Sequence, residues 1–336
     1  MFKNKKILVT GGTGSFGSKF IKSTLKKYDV KNIIVFSRDE MKQWNMQNKL
    51  NDNRIKYIIG DVKDFDSIKK ACSNIDFIVH AAATKIVPTA EYNPLECIKT
   101  NVNGAINVIE SAKINNVKKV IALSTDKACN PINLYGASKF TSDKLFIAAN
   151  NYEKTKNTNT LFSVVRYGNV MGSRGSVLPF FYNLKNKNYI PVTDKRMTRF
   201  MISLEECVDL VWASFNEMIG GEIFVKKIPS IKIIDLVKAI SKKAKIKVIG
   251  IRPGEKIHEI MITEDDGFNT LELKDKYIIL PSINELKTKI EKKYKKSAKA
   301  VSKNFQYTSN NNTEWMSITD IKNWIKNNLD ILNESK

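Results

Sequence analysis

A glycine-rich turn near the start of the chain constrains the fold more than any other feature of the sequence. The apolar run Lys6–Thr10 has the composition of a buried parallel strand, and the sequence GGTGSFG (residues 11–17) follows it directly. An amphipathic helix is predicted from Phe16 to Tyr28. A strand, a glycine turn and a helix in this order bind a pyrophosphate, because the glycines let the backbone approach the phosphates and the helix N-terminus offers free amides. The chain is therefore predicted to bind a dinucleotide.

Short apolar runs alternate with helical patterns over the first half of the chain. Strands that alternate with helices form βαβ units, and such units build a parallel sheet with helices on both faces. The predicted fold class is α/β, a Rossmann-type doubly wound parallel sheet with a smaller α+β substrate-binding lobe. Strands are predicted at Lys6–Thr10, Asn32–Phe36, Lys56–Ile59, Asp76–His80, Lys118–Ser124 and Phe162–Tyr167.

The alternation weakens beyond residue 171, and this sets the predicted domain boundaries. Residues 1–170 are assigned to the Rossmann domain, and residues 171–202 and 220–336 to the smaller lobe. The sequence Ser203-Leu204-Glu205-Glu206 is a capping box. It predicts a helix over 203–219 that packs back on the main sheet.

The end of the second predicted strand indicates which dinucleotide binds. About 20 residues beyond the glycines, an NAD-specific chain usually carries an acidic residue for the ribose 2′-hydroxyl. Ser37 occupies this place, and Arg38, Asp39 and Glu40 follow it. A hydroxyl and a guanidinium suit a 2′-phosphate, which arginine can bind through two parallel hydrogen bonds. NADP is therefore the predicted cofactor.

Tyr135 and Lys139 lie four residues apart in a predicted helix, so their side chains share one face. An ammonium beside a phenol favours the phenolate. With a cationic cofactor, Lys139 is expected to bring the pKa of Tyr135 from about 10 to about 7, which requires roughly 4 kcal/mol of differential stabilisation. Such a tyrosine is a base for an alcohol proton.

An acid and an amine, Asp126 and Lys127, end the fifth predicted strand in the sequence STDK. Ligands of doubly wound sheets lie beyond the carboxyl ends of the strands, so both side chains are expected in the site. Alcohol oxidation requires neither group, whereas an elimination requires an acid and a base. Burial and the nearby Lys139 are expected to depress the pKa of Lys127, so that its amine is neutral, while Asp126 opposes this shift.

The net charge of +22 does not by itself indicate a nucleic-acid partner. Only seven of the 56 basic residues are arginines, and lysines are spread along the chain as a diffuse surface charge. No apolar run approaches the roughly 18 residues of a membrane span. A cytoplasmic protein with no membrane or nucleic-acid partner is predicted. No metal site is predicted, and reduced thiols without metal-ligand spacing are expected at Cys72, Cys97, Cys129 and Cys207.

Several longer sequences carry a resemblance to a known family. With its glycine turn and its Tyr135/Lys139 pair, the chain resembles the extended short-chain dehydrogenase/reductases of the nucleotide-sugar branch. The sequences STDKACNPINLYGASK, VRYGNVMGSRGSVLPFF, TDKRMTRFMI and GIRPGEKIHE are similar to those of inverting UDP-N-acetylglucosamine 4,6-dehydratases, which begin pseudaminic acid biosynthesis in bacteria. The resemblance runs from about residue 3 to beyond residue 320.

The resemblance implies a role for each matching position. The implied catalytic residues are Asp126, Lys127, Tyr135 and Lys139. The implied NADP contacts are Gly11, Thr13, Gly14, Ser15, Phe16, Gly17, Ser37, Arg38, Asp39, Glu40, Asp61, Val62, Lys85, Tyr135, Lys139 and Val170. The implied UDP-sugar contacts are Ala81, Asn103, Gly104, Asn169, Arg174, Gly175, Ser176, Val177, Leu178, Pro179, Arg199, Arg252 and Glu255.

The resemblance also implies a closed redox cycle on UDP-N-acetylglucosamine. Tyr135, as phenolate, takes the C4 hydroxyl proton while hydride passes to NADP⁺. Lys127 then removes the C5 proton, and Asp126 protonates the C6 hydroxyl so that it leaves as water. The hydride returns to C6, and C5 is reprotonated on the opposite face. Because NADP is regenerated in each turnover, tight binding is expected.

Three other functions remain open at this stage. A C5-retaining 4,6-dehydratase typically carries Met where Tyr135 stands and has an N-terminal membrane region. A UDP-sugar 4-epimerase has no use for Asp126 and Lys127 together, and a non-catalytic NADP-sensing module often lacks the Tyr or the Lys. In the family that the chain resembles, the helices near Asn103–Ile114 and Leu134–Asn150 pair between subunits. A homo-oligomer is therefore expected, either a dimer or a larger even-numbered assembly such as a hexamer.

Overall fold

A ten-stranded sheet forms the centre of the protein in the computed structural model, which describes residues 1–151 and 159–334. Three small sheets accompany it within this part of the chain. The strands are β1 (Lys6–Thr10), β2 (Asn32–Ser37), β3 (Ile55–Ile59), β4 (Phe77–His80), β5 (Lys119–Thr125), β6 (Leu161–Tyr167), β7 (Asn169–Val170), β8 (Tyr189–Val192), β9 (Thr198–Ile202), β10 (Ile223–Lys226), β11 (Ser230–Lys232), β12 (Lys245–Val248), β13 (Ile260–Ile262), β14 (Thr270–Glu272), β15 (Lys276–Ile279), β16 (Lys299–Ala300) and β17 (Tyr307–Thr308).

Helices cover the sheet and connect its strands. A π-helical turn at Lys99–Asn103 leads into one of them, and a 3₁₀ turn at Asp126–Ala128 follows β5. The α-helices are α1 (Ser15–Lys27), α2 (Glu40–Leu50), α3 (Phe65–Ala71), α4 (Val87–Tyr92), α5 (Pro94–Ile98), α6 (Gly104–Ile114), α7 (Leu134–Ala148), α8 (Val177–Asn183), α9 (Leu204–Glu217), α10 (Ile233–Ile240), α11 (Glu264–Gly267), α12 (Asn284–Tyr294), α13 (Ile318–Asn327) and α14 (Leu329–Glu334).

The order of strands in the main sheet is β16-β14-β15-β10-β6-β5-β4-β1-β2-β3. Every pair from β3 to β10 is parallel, whereas β15, β14 and β16 join in antiparallel pairs. The chain order reverses between β1 and β4, where a doubly wound sheet opens a crevice at the carboxyl ends of its strands. The predicted fold class is confirmed.

The central strands are apolar because helices cover both of their faces. In β1, the side chains of Ile7, Leu8 and Val9 are all fully buried, and burying one such side chain contributes about 1.5–3 kcal/mol. α9 begins with a capping box between Ser203 and Glu206. It packs on the main core, and the Trp212 indole donates a hydrogen bond to Thr24 of α1 at 3.1 Å.

A second, smaller core lies beside the main one. It is formed by residues within 171–201, 231–257 and 316–332, which include the buried Leu178, Ile190, Leu236 and Ile321. Helices α8, α10 and α13 and the short strands β8 and β12 contribute these side chains.

The smaller lobe is less extensive than the assignment of residues 220–336 to it predicts. β10 and β14–β16 all follow residue 220, yet they extend the main sheet. Their buried residues, such as Phe224 and Ile278, belong to the main core. These strands have only two to four residues each. β10 adds in parallel to β6, and β14–β16 add by antiparallel pairing. Because the strands are so short, no clear pattern marks them in the sequence.

Candidate active site

A cleft of about 1060 Å³ opens at the carboxyl edge of the main sheet and continues between the two cores. It exceeds the upper end of ordinary ligand pockets, about 1,000 Å³. The glycine turn, the end of β5 and the start of α7 line one part of it. The segments around residues 168–183 and 252–259 line the other part. A space of this size suits a dinucleotide and a second ligand together.

The glycine turn leaves no room for side chains against the sheet. Gly11 has a φ of +66°, and a Cβ there would lie 2.8 Å from the backbone nitrogen of Ala82. A Cβ on Gly17 would lie 2.6 Å from the backbone of Gly12. Gly14 caps α1 without a side-chain hydrogen bond, so the first amides of the helix stay available to an anion.

Two polar residues end β2 in different environments. Ser37 is buried, and the side-chain amide of Gln43 donates hydrogen bonds to its carbonyl and its hydroxyl oxygen, both at 3.0 Å. The Arg38 side chain is 59% exposed and lies 3.6 Å from Asp61 and 3.5 Å from Glu96. Arg38 can therefore reorient toward an anion at the rim of the cleft, while Ser37 is held in place.

Arg174 lies against the glycine turn. Its guanidinium donates to the Thr13 carbonyl at 2.7 Å, and its backbone amide donates to the Ser15 hydroxyl at 3.3 Å. Lys85 donates to the Arg174 carbonyl at 3.0 Å. Burial, and then Arg174, lower the pKa of Lys85. The contacts of Arg174 are thus with the predicted cofactor turn, although the resemblance implies a UDP-sugar contact.

Tyr135 and Lys139 project from α7 into the cleft, and both are buried. Burial raises the pKa of Tyr135 to about 12, against opposing effects of Lys127 and Thr125. Burial lowers the pKa of Lys139, against the opposing charge of Asp143. No hydrogen bond or salt bridge in the described part of the chain engages the Lys139 ammonium. The protein groups alone therefore do not produce the pKa near 7 that the sequence predicts for Tyr135.

Asp126 and Lys127 form an ion pair at the end of β5. The Lys127 ammonium lies 3.0 Å from Asp126 Oδ1 and 3.4 Å from Glu259 Oε1. It also lies 3.5 Å from the side-chain oxygen of Asn169. The guanidinium of Arg199 lies 3.5 Å from Glu259 on the other side. An acid–amine–acid cluster therefore faces the cleft beside Tyr135.

The pKa expected for Lys127 is wrong in its direction. Burial does lower the pKa of this lysine, but the carboxylates of Asp126 and Glu259 outweigh burial and raise it. Burial also raises the pKa of Asp126, and Glu259 adds to this effect while Lys127 opposes it. The sequence reasoning included Asp126 but had no way to include Glu259, which β13 brings in from a distant part of the chain.

The two arginines on the substrate side of the cleft differ in whether their guanidinium groups are already hydrogen-bonded. Arg199 is buried, and its guanidinium donates to the carbonyls of Thr198, Lys256 and Ile257 at 2.8–3.0 Å. Arg252 is exposed at the rim of the cleft, and its guanidinium has no partner among the described residues. Of the two arginines, Arg252 is the one with a free guanidinium for a diphosphate.

Most of the predicted site residues line the cleft, and four do not. Glu40 is exposed at the start of α2, and Leu178 is buried in the smaller core. Asn103 is exposed at the end of the π-helical turn. A Cβ on Gly104 would lie 2.8 Å from Val62, so this glycine serves the packing of α6. The structure therefore does not place these four at the cleft.

Sequence reasoning missed Glu259 and Lys256 as cleft residues. Both lie within the sequence GIRPGEKIHE, which carries part of the family resemblance. Lys256 donates a hydrogen bond to the Cys129 carbonyl, and burial lowers its pKa. Their place in this sequence was a signal for the segment as a whole, but it does not show that Glu259 lies against Lys127.

The fold and the cleft define an α/β protein of the extended short-chain dehydrogenase/reductase class. The chain belongs to the family described as polysaccharide biosynthesis proteins, whose sequence model matches residues 7–281.

Individual relatives are similar over nearly their whole length. A Campylobacter jejuni protein named UDP-N-acetylglucosamine 4,6-dehydratase (inverting) is 52% identical, which covers 100% of this chain and 99% of the relative. A Rickettsia bellii protein named UDP-glucose 4-epimerase is 43% identical, covering 99% and 98%. The X-ray structure of Pen from Bacillus thuringiensis superposes with a TM-score of 0.88 at 36% identity, covering 98% and 99%. The predicted family resemblance is confirmed.

Two further observations concern membrane spans and metal ligands in the described residues. None of their helices has the length and apolar composition needed to cross a membrane. No group of three or more His, Cys, Asp or Glu side chains in these residues is arranged to hold a metal ion.

Proposed function

We propose that the protein is an inverting UDP-N-acetylglucosamine 4,6-dehydratase. Its product would be UDP-2-acetamido-2,6-dideoxy-β-L-arabino-hex-4-ulose, formed in the first step of pseudaminic acid biosynthesis. The observation that carries the proposal is the Asp126–Lys127 pair, 3.0 Å apart, in the same cleft as Tyr135 and Lys139. An acid and a base beside an oxidising tyrosine are what an elimination after alcohol oxidation requires. The similarity to the Campylobacter jejuni relative supports the same substrate.

A nicotinamide dinucleotide fits the residues of the cleft. The side-chain-free turn at Gly11 and Gly17 and the uncapped start of α1 suit a pyrophosphate. Arg38 and Ser37 at the end of β2 favour NADP over NAD. When bound, the nicotinamide supplies the hydride acceptor for C4 and the hydride donor for C6.

Each protein group then has one proton to hold or to move. The Tyr135 oxygen accepts the C4 hydroxyl proton, and Lys139 on the same face favours the phenolate. In the resting cluster Lys127 is an ammonium, so its proton must first pass to the Asp126 carboxylate. This transfer leaves an amine at 127 to take the C5 proton and an acid at 126 to protonate the departing C6 hydroxyl. The C5–H electrons form the C5–C6 double bond, and water leaves.

The proposal is tested by the product that purified protein forms from UDP-N-acetylglucosamine. Proton NMR should show a new C6 methyl doublet and loss of the C6 hydroxymethyl signals. Nuclear Overhauser contacts around the ring should report the inverted C5. A dehydrated product with unchanged C5 configuration would identify a retaining dehydratase instead.

A UDP-sugar 4-epimerase is the second candidate, because the Rickettsia bellii relative carries such a name. An epimerase shares Tyr135 and Lys139 but leaves Asp126 and Lys127 without a task. Formation of UDP-N-acetylgalactosamine with C6 intact would establish this function.

The preference for NADP rests on Arg38, and calorimetry on the cofactor-free protein tests it. Arg38→Ala should weaken NADP binding by about 10–100-fold, which corresponds to one charge-assisted pair. NAD lacks the 2′-phosphate and should bind almost as before. Arg54→Ala is the matched control, since Arg54 pairs with Asp52 at 2.7 Å before the start of β3, outside the cleft. Equal losses of both cofactors in Arg38→Ala would remove this residue as the discriminating contact.

We also propose a homo-oligomer, for which α6 and α7 offer part of the evidence. Ile106 and Phe140 are each 41% exposed, whereas Val108 and Phe146 of the same two helices are buried in the main core. Light scattering at micromolar concentration should give a dimer mass or larger, and a monomer mass would end the proposal.

A further inference from the structure

Glu259 is a buried carboxylate in the cleft to which the proposed chemistry gives no role. Its side chain is 3% exposed, and its Oε1 lies 3.4 Å from the Lys127 ammonium and 3.5 Å from Nε of Arg199. Its Oε2 is buried without a hydrogen-bond partner among the described residues. A buried carboxylate oxygen without a partner is costly, so it requires an explanation.

The backbone fixes Glu259 in this position. Its amide donates to the Ser309 hydroxyl at 2.9 Å, and its carbonyl accepts from the Ser309 amide at 2.8 Å. The Ser309 hydroxyl in turn contacts Thr198 at the start of β9. Segments before β13, after β17 and at β9 therefore converge to hold one carboxylate against Lys127.

Asp126 contacts the Lys127 ammonium in the same way as Glu259 does. Its Oδ1 lies 3.0 Å from the same ammonium, and its Oδ2 is also buried without a partner among the described residues. Two carboxylates thus share the cation of Lys127 from opposite sides. Because like charges in a buried site disfavour each other, such a pair tends to retain a proton on one member.

The cations around the two carboxylates decide which of them holds the proton. Glu259 has Lys127, Arg199 and Lys256 around it, and together they outweigh burial and lower its pKa. Asp126 has Lys127 as its ion-pair partner, but burial and the charge of Glu259 outweigh this cation and raise the pKa of Asp126. Asp126 is therefore the carboxylate that more readily accepts the Lys127 proton, and Glu259 is the one that more readily stays ionised.

We propose that Glu259 is a positioning residue that acts through its charge: it holds Lys127 against Asp126 and favours the state in which one proton is shared between these two groups. This inference rests on the proposed dehydration, because it assigns how the acid and base of that reaction are set. The elimination requires a single proton on the Asp126–Lys127 pair. That proton can then lie on Asp126 while Lys127 is an amine. The charge of Glu259 raises the proton affinity of both groups, so it places the whole active pH range higher.

Other charged and titratable groups lie around Glu259 and contribute to the electrostatic potential at Asp126 and Lys127. They lie after β5, on β9, in the turn before β13 and on α7, and they are Asp126, Lys127, Arg199, Glu255, Lys256, His258 and Tyr135. Of these, Asp126, Lys127 and Lys256 have Glu259 among the neighbours that raise their pKa values, although burial lowers the pKa of Lys256 overall.

The first test is the pH dependence of kcat for Glu259→Gln, which keeps the shape and removes the charge. Both limbs of the profile should move to lower pH, by about one unit or more, with a smaller change in KM. Glu259→Asp should restore the limbs toward their original positions. Glu222→Gln is the matched control, since Glu222 is a buried carboxylate bonded to Ser163 outside the cleft, and its limbs should not move. A lower kcat with unmoved limbs in Glu259→Gln would overturn the proposal.

The second test does not depend on the reaction, and its first measurement needs no variant. Competitive acetylation of the wild-type protein over a pH series, read by peptide mass spectrometry, reports the pKa of Lys127. A pKa above the ordinary lysine value of about 10.4 is expected, and it should fall in Glu259→Gln. A wild-type pKa at or below the ordinary value would refute the role of Glu259. Absence of the dehydrated product together with a raised Lys127 pKa would instead refute the proposed function alone.

Discussion

Lys127 and Lys139 both line the cleft and both lose water on folding, yet their pKa values move in opposite directions. Burial lowers the pKa of Lys139, and the charge of Asp143 does not compensate for it. Burial acts on Lys127 in the same sense, but Asp126 and Glu259 reverse its effect. The comparison teaches that burial alone does not fix the protonation state of a lysine. The number of carboxylates within ion-pair distance decides it.

The two lysines also differ in what they are free to do. The ammonium of Lys139 has no hydrogen bond in the described part of the chain, so it can turn toward Tyr135 and a bound cofactor. Lys127 is held by Asp126 and Glu259 and by the side chain of Asn169. The first lysine is suited to favour a phenolate, and the second to exchange a proton with a fixed acid.

Replacement of Lys127 should have the largest effect on the reaction. Lys127→Met should reduce formation of the dehydrated sugar by about 10³–10⁴-fold, at the upper end for a general base. Deuterium from solvent should no longer enter C5, whereas the near-ultraviolet absorbance of reduced nicotinamide should still appear transiently. Lys322→Met, at an exposed site on α13, is the control. Near-normal product formation by Lys127→Met would leave Tyr135 as the base at C5.

Replacement of Lys139 should give a smaller loss at a different step. Lys139→Met should reduce C4 oxidation by about 10²-fold, because Tyr135 loses the cation that favours its phenolate. Stopped-flow absorbance should show no transient reduced nicotinamide, in contrast to Lys127→Met. If both variants accumulate the reduced cofactor equally, the division of labour between the two lysines is wrong.

The same two variants should differ in thermal stability, because one lysine is ion-paired and the other is buried without an ion pair among the described residues. Lys127→Met should destabilise the protein by about 3 kcal/mol, because it leaves buried carboxylates without their cation. Lys139→Met should leave the melting temperature unchanged or raise it. The folded-state pKa of Lys139 lies below the unfolded value, so its unfavourable share is complete below the folded pKa and disappears as the pH rises to the unfolded pKa. Calorimetry near neutral pH checks both signs.

The smallest expected effect is a shift in the pKa of Tyr135 when the cofactor binds. In the cofactor-free protein, phenolate absorbance assigned to this residue by comparison with Tyr135→Phe should appear with a pKa of about 12. Addition of oxidised cofactor should lower that pKa by about one unit or more, because a positive ring joins Lys139 beside the phenol. A pKa that does not change on cofactor addition would leave the phenolate to the bound substrate.

The sequence predicts the parts of the site that are local in the chain. The GGTGSFG turn follows its strand without interruption, and Tyr135 and Lys139 are one helical turn apart, so spacing alone places them. Asp126 and Lys127 are adjacent and end a strand, which places both at the carboxyl edge. The main parallel sheet was predictable for the same reason, since each βαβ unit repeats a local pattern.

The rest could not be predicted because it depends on contacts between distant segments. Glu259 meets Lys127 only after β13 pairs with β17, and Arg199 is occupied by carbonyls from a turn that follows it by more than fifty residues. The strands β10 and β14–β16 extend the main sheet, β10 through a parallel pair with β6 and the others through antiparallel pairs, and these short strands leave no periodic signal. The raised pKa of Lys127 depends on Asp126, its neighbour in the sequence, and also on the distant Glu259.

The loop after β7 depends on the last elements of the chain. A Cβ on Gly172 would lie 2.8 Å from Ile331 and 2.9 Å from the ring of Trp324, so α13 and α14 press directly on this loop. The same loop carries Arg174 to the glycine turn. During synthesis on the ribosome, the sheet can therefore assemble well before its cleft is complete. A nascent chain stalled before α13 emerges should bury its main core and yet retain nucleotide poorly.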